Sequence, residues 1–129
     1  MVDLHSRHCV PCEGGAVSLG IEEINKYLHD LRGRWEKVAV FPEGQIKKIR
    51  TQILFSDFKA AITFINRIAE IAESEGHHPD IHVMYNKVVI ELWTHAVGGL
   101  SENDFIMASR IDEELGQRSN TLLSQQHNK

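Results

Sequence analysis

The sequence predicts an α+β fold, a two-layer sandwich in which a four-stranded antiparallel sheet carries helices packed on one face. Three observations lead there. Three segments repeat apolar residues at helical spacing, four shorter segments read as strands, and turn-sized gaps separate the first strand from the second and the third from the fourth. The element order is therefore α-β-β-α-β-β-α. Hairpin-connected strands imply antiparallel pairing, and the helices must cover a face of the resulting sheet.

Residues 1–17 contain Pro11 and the pair Gly14-Gly15, show no period, and read as an irregular arm. Ser18 is placed to cap a first helix whose Ile21, Ile24, Leu28 and Leu31 share one face, and Gly33 ends it. Trp35 to Phe41 reads as a strand, with Pro42-Glu43-Gly44 turning into the next. There Ile49, Thr51, Ile53 and Phe55 alternate with Lys48, Arg50 and Gln52, one face buried and the other wet. Ser56 and Asp57 start a long helix marked by Phe58, Ala61, Ile62, Ile65, Ile68, Ala69 and Ala72, and Gly76 is suited to stop it.

Strands at about Ile81 to Tyr85 and Val88 to Thr94 flank a turn at Asn86-Lys87. Tyr85 shares the parity of Ile81 and Val83, which predicts a packing role. After Gly98-Gly99, Ser101 and Asp104 resemble a capping box for a last helix with a stripe of Phe105, Ala108, Ile111 and Leu115. From Gln117 the chain turns polar and is expected to fray. The expected organisation is an arm over 1–17, one domain over 18–118 and a tail over 119–129. Both edges of the sheet are left open, which invites pairing with another subunit.

Composition narrows the function. The chain has 129 residues, a single-domain length, and 14 Lys+Arg against 18 Asp+Glu, a net charge of −4. That balance argues against a basic nucleic-acid-binding surface. The sequence has no apolar run of membrane-spanning length and no secretory stretch, and two cysteines cannot build a disulfide framework. The expectation is a soluble cytoplasmic protein with no membrane or nucleic-acid partner.

Eight histidines are present, and His77, His78, His82 and His95 fall close together. Hairpin pairing brings the start of the third strand beside the end of the fourth, so His77, His78 and His95 should gather at one end of the sheet, near the start of the last helix. With no Ser or Cys nucleophile beside them, such rings suit proton donation and removal near neutral pH. The plain alternative is a set of polar loop residues or helix caps. Glu73 either orients an imidazole or is a solvated helix residue, and Asp104 reads first as a helix cap.

Metal is the weaker reading. His78-x₃-His82 has the spacing of helical zinc ligands, but Pro79 and the following strand pattern argue against a helix. The arm gathers His5, His8, Cys9 and Cys12, yet a lone C-x-x-C lacks the second pair of a zinc module, so free thiols are expected. Lys47, Lys48 and Arg50 read as a solvated basic strip on a sheet face or edge.

The pattern Glu73, His77-His78-Pro79, Tyr85, His95, Asp104 resembles the signature of the pterin-4a-carbinolamine dehydratases. The resemblance extends through Phe55-Ser56-Asp57-Phe58, Thr94-His95 and Gly99-Leu100-Ser101, over roughly residues 18–115. It implies elimination of water from a 4a-hydroxytetrahydropterin to give quinonoid dihydropterin, recycling the pterin of aromatic amino acid hydroxylases without metal or other cofactor. The family's catalytic histidines map onto His77, His78 and His95; His77 and His95 are expected to be the acid and base, while His78, restricted by Pro79 and diverging from His77, is expected to position substrate. Thr94, Trp93, Gly76, Glu73 and Asp104 complete the expected substrate-binding neighbourhood. Relatives self-associate as dimers or tetramers, and some serve as dimerisation cofactors or assembly chaperones, so a protein-binding module is the alternative. A metal-dependent hydrolase on the same cluster is the weakest reading.

Overall fold

The computed structural model describes residue 4 and residues 7–9, 18–31, 34–40 and 44–127, with the side chains of the last helix followed to residue 116. The expectations placed on His5, Cys12, Pro11, Gly14-Gly15, Gly33 and Pro42-Glu43 lie outside the described residues. In chain order the elements are α1 (Ile21–Asp30), β1 (Glu36–Val40), β2 (Gln45–Leu54), α2 (Phe58–Glu75), β3 (Asp80–Met84), β4 (Lys87–Leu92), a 3₁₀ turn (His95–Val97) and α3 (Glu102–His127). The strands form one antiparallel sheet in the order β1-β2-β4-β3. The α+β sandwich and its element order are as the sequence predicts.

Alternation decides which way the sheet faces. Ile49 and Ile53 of β2 and Val88, Ile90 and Leu92 of β4 are buried, while Gln52 and Leu54 are exposed on the opposite face. The core closes with Phe64 and Ile68 of α2 and Phe105, Ile106 and Ile111 of α3, all at 1% exposure or less. Removing side chains of this size from water stabilises the fold by roughly 1.5–3 kcal/mol each, before the cost of ordering them.

Several local expectations need correction. Ser18 does not cap α1: the N-cap is Gly20 and no side chain bonds there. The Leu19 N–H donates to the Leu100 carbonyl at 2.9 Å, which ties the preceding chain to the loop before α3. On α2 the buried positions are Ala61, Phe64, Ile68 and Ala72, whereas Phe58 is 48% exposed and Ala69 lies on the wet side. Helix caps at its two ends are as expected. The Asp57 carboxylate accepts from the Ala60 N–H at 2.8 Å, and Gly76 takes the left-handed conformation at φ 67°.

The hairpin turns at Tyr85-Asn86, one residue before the expected place, so Met84 pairs with Lys87 and Asp80 with Glu91. Asn86 fixes the turn: its side-chain amide donates to the Phe55 carbonyl at 2.9 Å, and its own carbonyl accepts the Phe55 N–H at 2.8 Å. Tyr85 consequently sits in the turn at φ 53° and is 67% exposed, not packed. The pairing is displaced by two residues, and an even displacement keeps each side chain on its face. At the C-terminus, α3 runs on to His127 and so includes the polar stretch from Gln117.

Candidate functional site

Gly76 ends α2 and delivers His77 into the space beside the start of α3. His77 is buried, at 7% exposure, and its Nε2 donates to Asp104 Oδ1 at 2.7 Å. Asp104 is wholly buried, and its second oxygen accepts from the Ser101 N–H at 3.0 Å and the Thr94 hydroxyl at 2.8 Å. The Thr94 proton being used in that bond, the Ser101 hydroxyl donates in turn to Thr94 Oγ1 at 2.8 Å. A carboxylate only accepts, so three donors converge on Asp104, and the Nδ1 of a neutral His77 ring keeps its lone pair.

Asp104 thus does two jobs. It closes half of the capping box by accepting the Ser101 N–H, and it holds His77. Only the first was visible as a local pattern. Ser101 was legible as a helix start but not as the donor to Thr94, a contact that needs the bridge between Thr94 and Gly99.

His78 points the other way. Its side chain is 61% exposed, and Nε2 donates to Glu73 Oε2 at 2.5 Å. Divergence of adjacent side chains explains why the tandem histidines find different carboxylates. His95 lies in the 3₁₀ turn, exposed, with its ring centroid 3.8 Å from that of Trp93. Trp93 is held from two sides: its indole N–H donates to Asp80 Oδ2 at 3.1 Å, and Lys48 Nζ lies 5.4 Å from the ring centroid. Asp80 was not singled out from the sequence. The hairpin contained the signal, because residue 80 registers with Glu91 and Trp93 follows two positions later on the same face.

The segment carrying His77 and His78 is therefore fastened twice to the segment carrying Trp93, Thr94 and His95. One fastening runs from His77 through Asp104 to Thr94, and the other is Asp80 to Trp93. His78 and His95 are exposed, and the buried imidazole–carboxylate pair of His77 and Asp104 lies behind them. A cavity of about 200 Å³ lies elsewhere, lined by Asp30, Leu31, Arg34, Ser109, Asp112 and Glu113.

The basic strip also has partners. Arg50 donates to Glu91 Oε2 from Nη2 at 2.6 Å and from Nε at 2.9 Å, and Lys48 lies 3.8 Å from Glu91 Oε1. His82 is exposed on β3, and no group of three metal-binding side chains is found among the described residues. Cys9 is a free thiol, and burial together with Glu75 pushes its pKa up to about 12. Among the described residues no helix is long and apolar enough to cross a membrane.

The sequence profile of the family described as Pterin 4 alpha carbinolamine dehydratase matches residues 18–114. A Chlorobaculum tepidum protein carrying that dehydratase's name is 41% identical over 113 residues, 88% of this chain and 98% of that protein. Pterin-4-alpha-carbinolamine dehydratase 2, mitochondrial, of Arabidopsis thaliana is 39% identical over 114 residues, 88% of this chain and 59% of its own. The crystal structure of a transcriptional coactivator/pterin dehydratase from Brucella melitensis superposes with a TM-score of 0.67 at 33% identity, covering 75% of this chain and 97% of that one. The histidine–carboxylate arrangement thus sits in a fold and a sequence shared along most of their length with these proteins, and the chain belongs to the pterin-4a-carbinolamine dehydratase family.

Proposed function

We propose that this protein dehydrates a 4a-hydroxytetrahydropterin. The C4a–O bond breaks, the departing hydroxyl takes a proton and leaves as water, N5 gives up its proton, and the C4a–N5 double bond of the quinonoid dihydropterin forms. One acid and one base suffice, and each well-placed group contributes about 10²–10⁴ in rate. His77 and His95 fill these roles. The free Nδ1 of His77 supports it as the acceptor of the N5 proton, which leaves donation to the hydroxyl to His95. Trp93 orients the His95 ring, and His78 with Glu73 holds the polar edge of the bicycle. Gly76 lines the approach, and Thr94, buried with its hydroxyl on Asp104, supports it from behind.

The observation that carries this reading is the double fastening of the two histidine-bearing segments, through Asp104 and through Asp80. The reading includes a cytoplasmic location, no cofactor, and self-association as two or four copies, which light scattering would count. Its test is a dehydration assay, followed by ultraviolet absorbance, on freshly generated 4a-hydroxytetrahydropterin. Wild type accelerates the loss of water, and His77→Ala and His95→Ala each lose on the order of 10²-fold or more. Near-full rates in both variants would remove the assignment.

A protein-binding role is the second reading. The Brucella melitensis relative is titled both coactivator and dehydratase, and the hairpin end of this sheet exposes Leu54, Met84 and Tyr85. Leu54 and Met84 fall in one row, both registering with Lys87. A photo-reactive group at Met84 that captured nothing but copies of the chain would dispose of this reading.

A further inference from the structure

Residues 7–9 precede the family-matched region, yet they contact both segments that bear the His77–Asp104 pair. The Cys9 N–H donates to Glu75 Oε1 at 2.7 Å, and His8 Nδ1 donates to Glu75 Oε2 at 2.8 Å. Glu75 is the last residue of α2, two positions before His77, and its side chain is only 3% exposed. On the other side, Cys9 Sγ donates to the carbonyl of Asn103, the neighbour of Asp104, at 3.6 Å. Arg7 pairs with Glu102 at 2.9 Å, and Arg110 of α3 donates to the Arg7 carbonyl at 3.2 Å.

The buried carboxylate makes this contact consequential. Burial alone would raise the pKa of Glu75, but the Cys9 N–H, His8 and Arg110 outweigh it and hold the group below the ordinary carboxylate value. Arg110 by itself stands 3.7 Å away. Among the described residues, a nearly dry charge without residues 8 and 9 would keep Arg110 as its partner, at a distance, and leaving such a group unsatisfied is costly. Its easiest relief is to unwind the end of α2 toward water. Only Gly76 separates Glu75 from His77, and both the Gly76 and His77 N–H groups rest on the Ala72 carbonyl, at 2.9 and 3.3 Å. Movement of the helix end therefore moves the His77 ring.

We propose that residues 7–9 form a positioning strap, which holds Glu75 and thereby sets the His77 ring against Asp104. Glu75 and His8 are positioning residues in this scheme and touch no substrate. The kinetic consequence rests on the dehydratase reading; the structural one does not.

The test uses full-length Glu75→Ala, Glu75→Gln and His8→Ala. Two quantities are measured: kcat and KM for dehydration, and the His77 ring resonances in long-range ¹H–¹⁵N NMR spectra. Glu75→Ala should shift the His77 resonances and lower kcat about tenfold with little change in KM, since small misplacements of a reacting group carry large rate penalties. Glu75→Gln keeps an oxygen for the Cys9 N–H and should restore most of both. His8→Ala alters a ring that is 77% exposed, so it provides the test should Glu75→Ala not fold, with a smaller shift in the same direction. Unmoved His77 resonances in the folded variants would overturn the strap, whatever the rates do. Should wild type prove inactive on the carbinolamine, the dehydratase reading fails while the resonances still decide the strap.

Discussion

His77 and Thr94 donate to opposite oxygens of one buried carboxylate, at 2.7 and 2.8 Å, although 17 positions separate them in the chain. Asp104 is what joins the end of α2 to the end of β4. The pairing is well satisfied because Ser101 supplies a third donor, from its backbone N–H. A buried carboxylate without such partners would be strongly destabilising.

Asp104→Asn tests that junction. The amide offers one oxygen where the carboxylate offers two, so at least one of the three donors is left facing an N–H₂ group. Folding stability should fall by about 1–3 kcal/mol, the usual cost of an unmatched buried polar group. The His77 ring loses the acceptor that fixes its tautomer, and kcat should drop on the order of 10²-fold with KM nearly constant. Thermal denaturation and steady-state assays read the two effects. A variant within twofold of the wild-type rate would show that the bond to Asp104 serves folding alone.

Trp93 and Asp80 make a separable prediction. Asp80→Ala removes the acceptor of the indole N–H and loosens the platform on which His95 stacks. Asp80 is exposed, so stability should change by no more than about 0.5 kcal/mol. Dehydration should nevertheless slow by roughly 3–10-fold, because the donor ring is less well oriented. Asp80→Asn keeps an oxygen for the indole and should recover most of the rate. Equal rates in all three proteins would remove Trp93 from the orienting role.

Asp112 governs a pH effect remote from the histidines. Burial pushes its pKa up to about 6, against the opposing hydrogen bond from Trp35 and the charge of Arg34. The folded chain therefore holds this proton more tightly than the unfolded chain, whose value is 3.8. Between about pH 4 and pH 6 the native state binds more protons, so this group's contribution to stability declines as pH rises. Above pH 6 the full penalty persists, about 3 kcal/mol for a rise from 3.8 to about 6. Asp112→Asn keeps an oxygen for the Trp35 indole, now 3.0 Å away, and removes the charge. The variant should be more stable than wild type at pH 7.5 and nearly equal at pH 4, as urea unfolding at both values would show. Equal stabilities at pH 7.5 would contradict it.

Local chemistry made much of the scaffold legible. The β2 alternation, the Asp57 cap and the left-handed Gly76 depend on contacts within a few residues, and each stands where the sequence placed it. Errors arose where a distant group intervened. Asn86 reaches Phe55 and moves the turn, which puts Tyr85 in the turn, and the Leu19–Leu100 bond lies across the chain from the start of α1. The two-residue displacement of the hairpin was harmless to the core because parity survived it.

What the sequence determined by itself was the order of elements, the buried face of β2 and the end of the sheet where His77, His78 and His95 belong. These follow from periodicity and hairpin connection, which are properties of neighbouring residues. Tertiary structure alone decided that His77 goes inward to Asp104 while His78 goes outward to Glu73, and that Trp93 carries His95 with Asp80 behind it. It likewise decided that residues 7–9 close over Glu75. The reason is physical: a side chain's partner is chosen by where its buried polar atoms can be satisfied, and those partners lie on other elements.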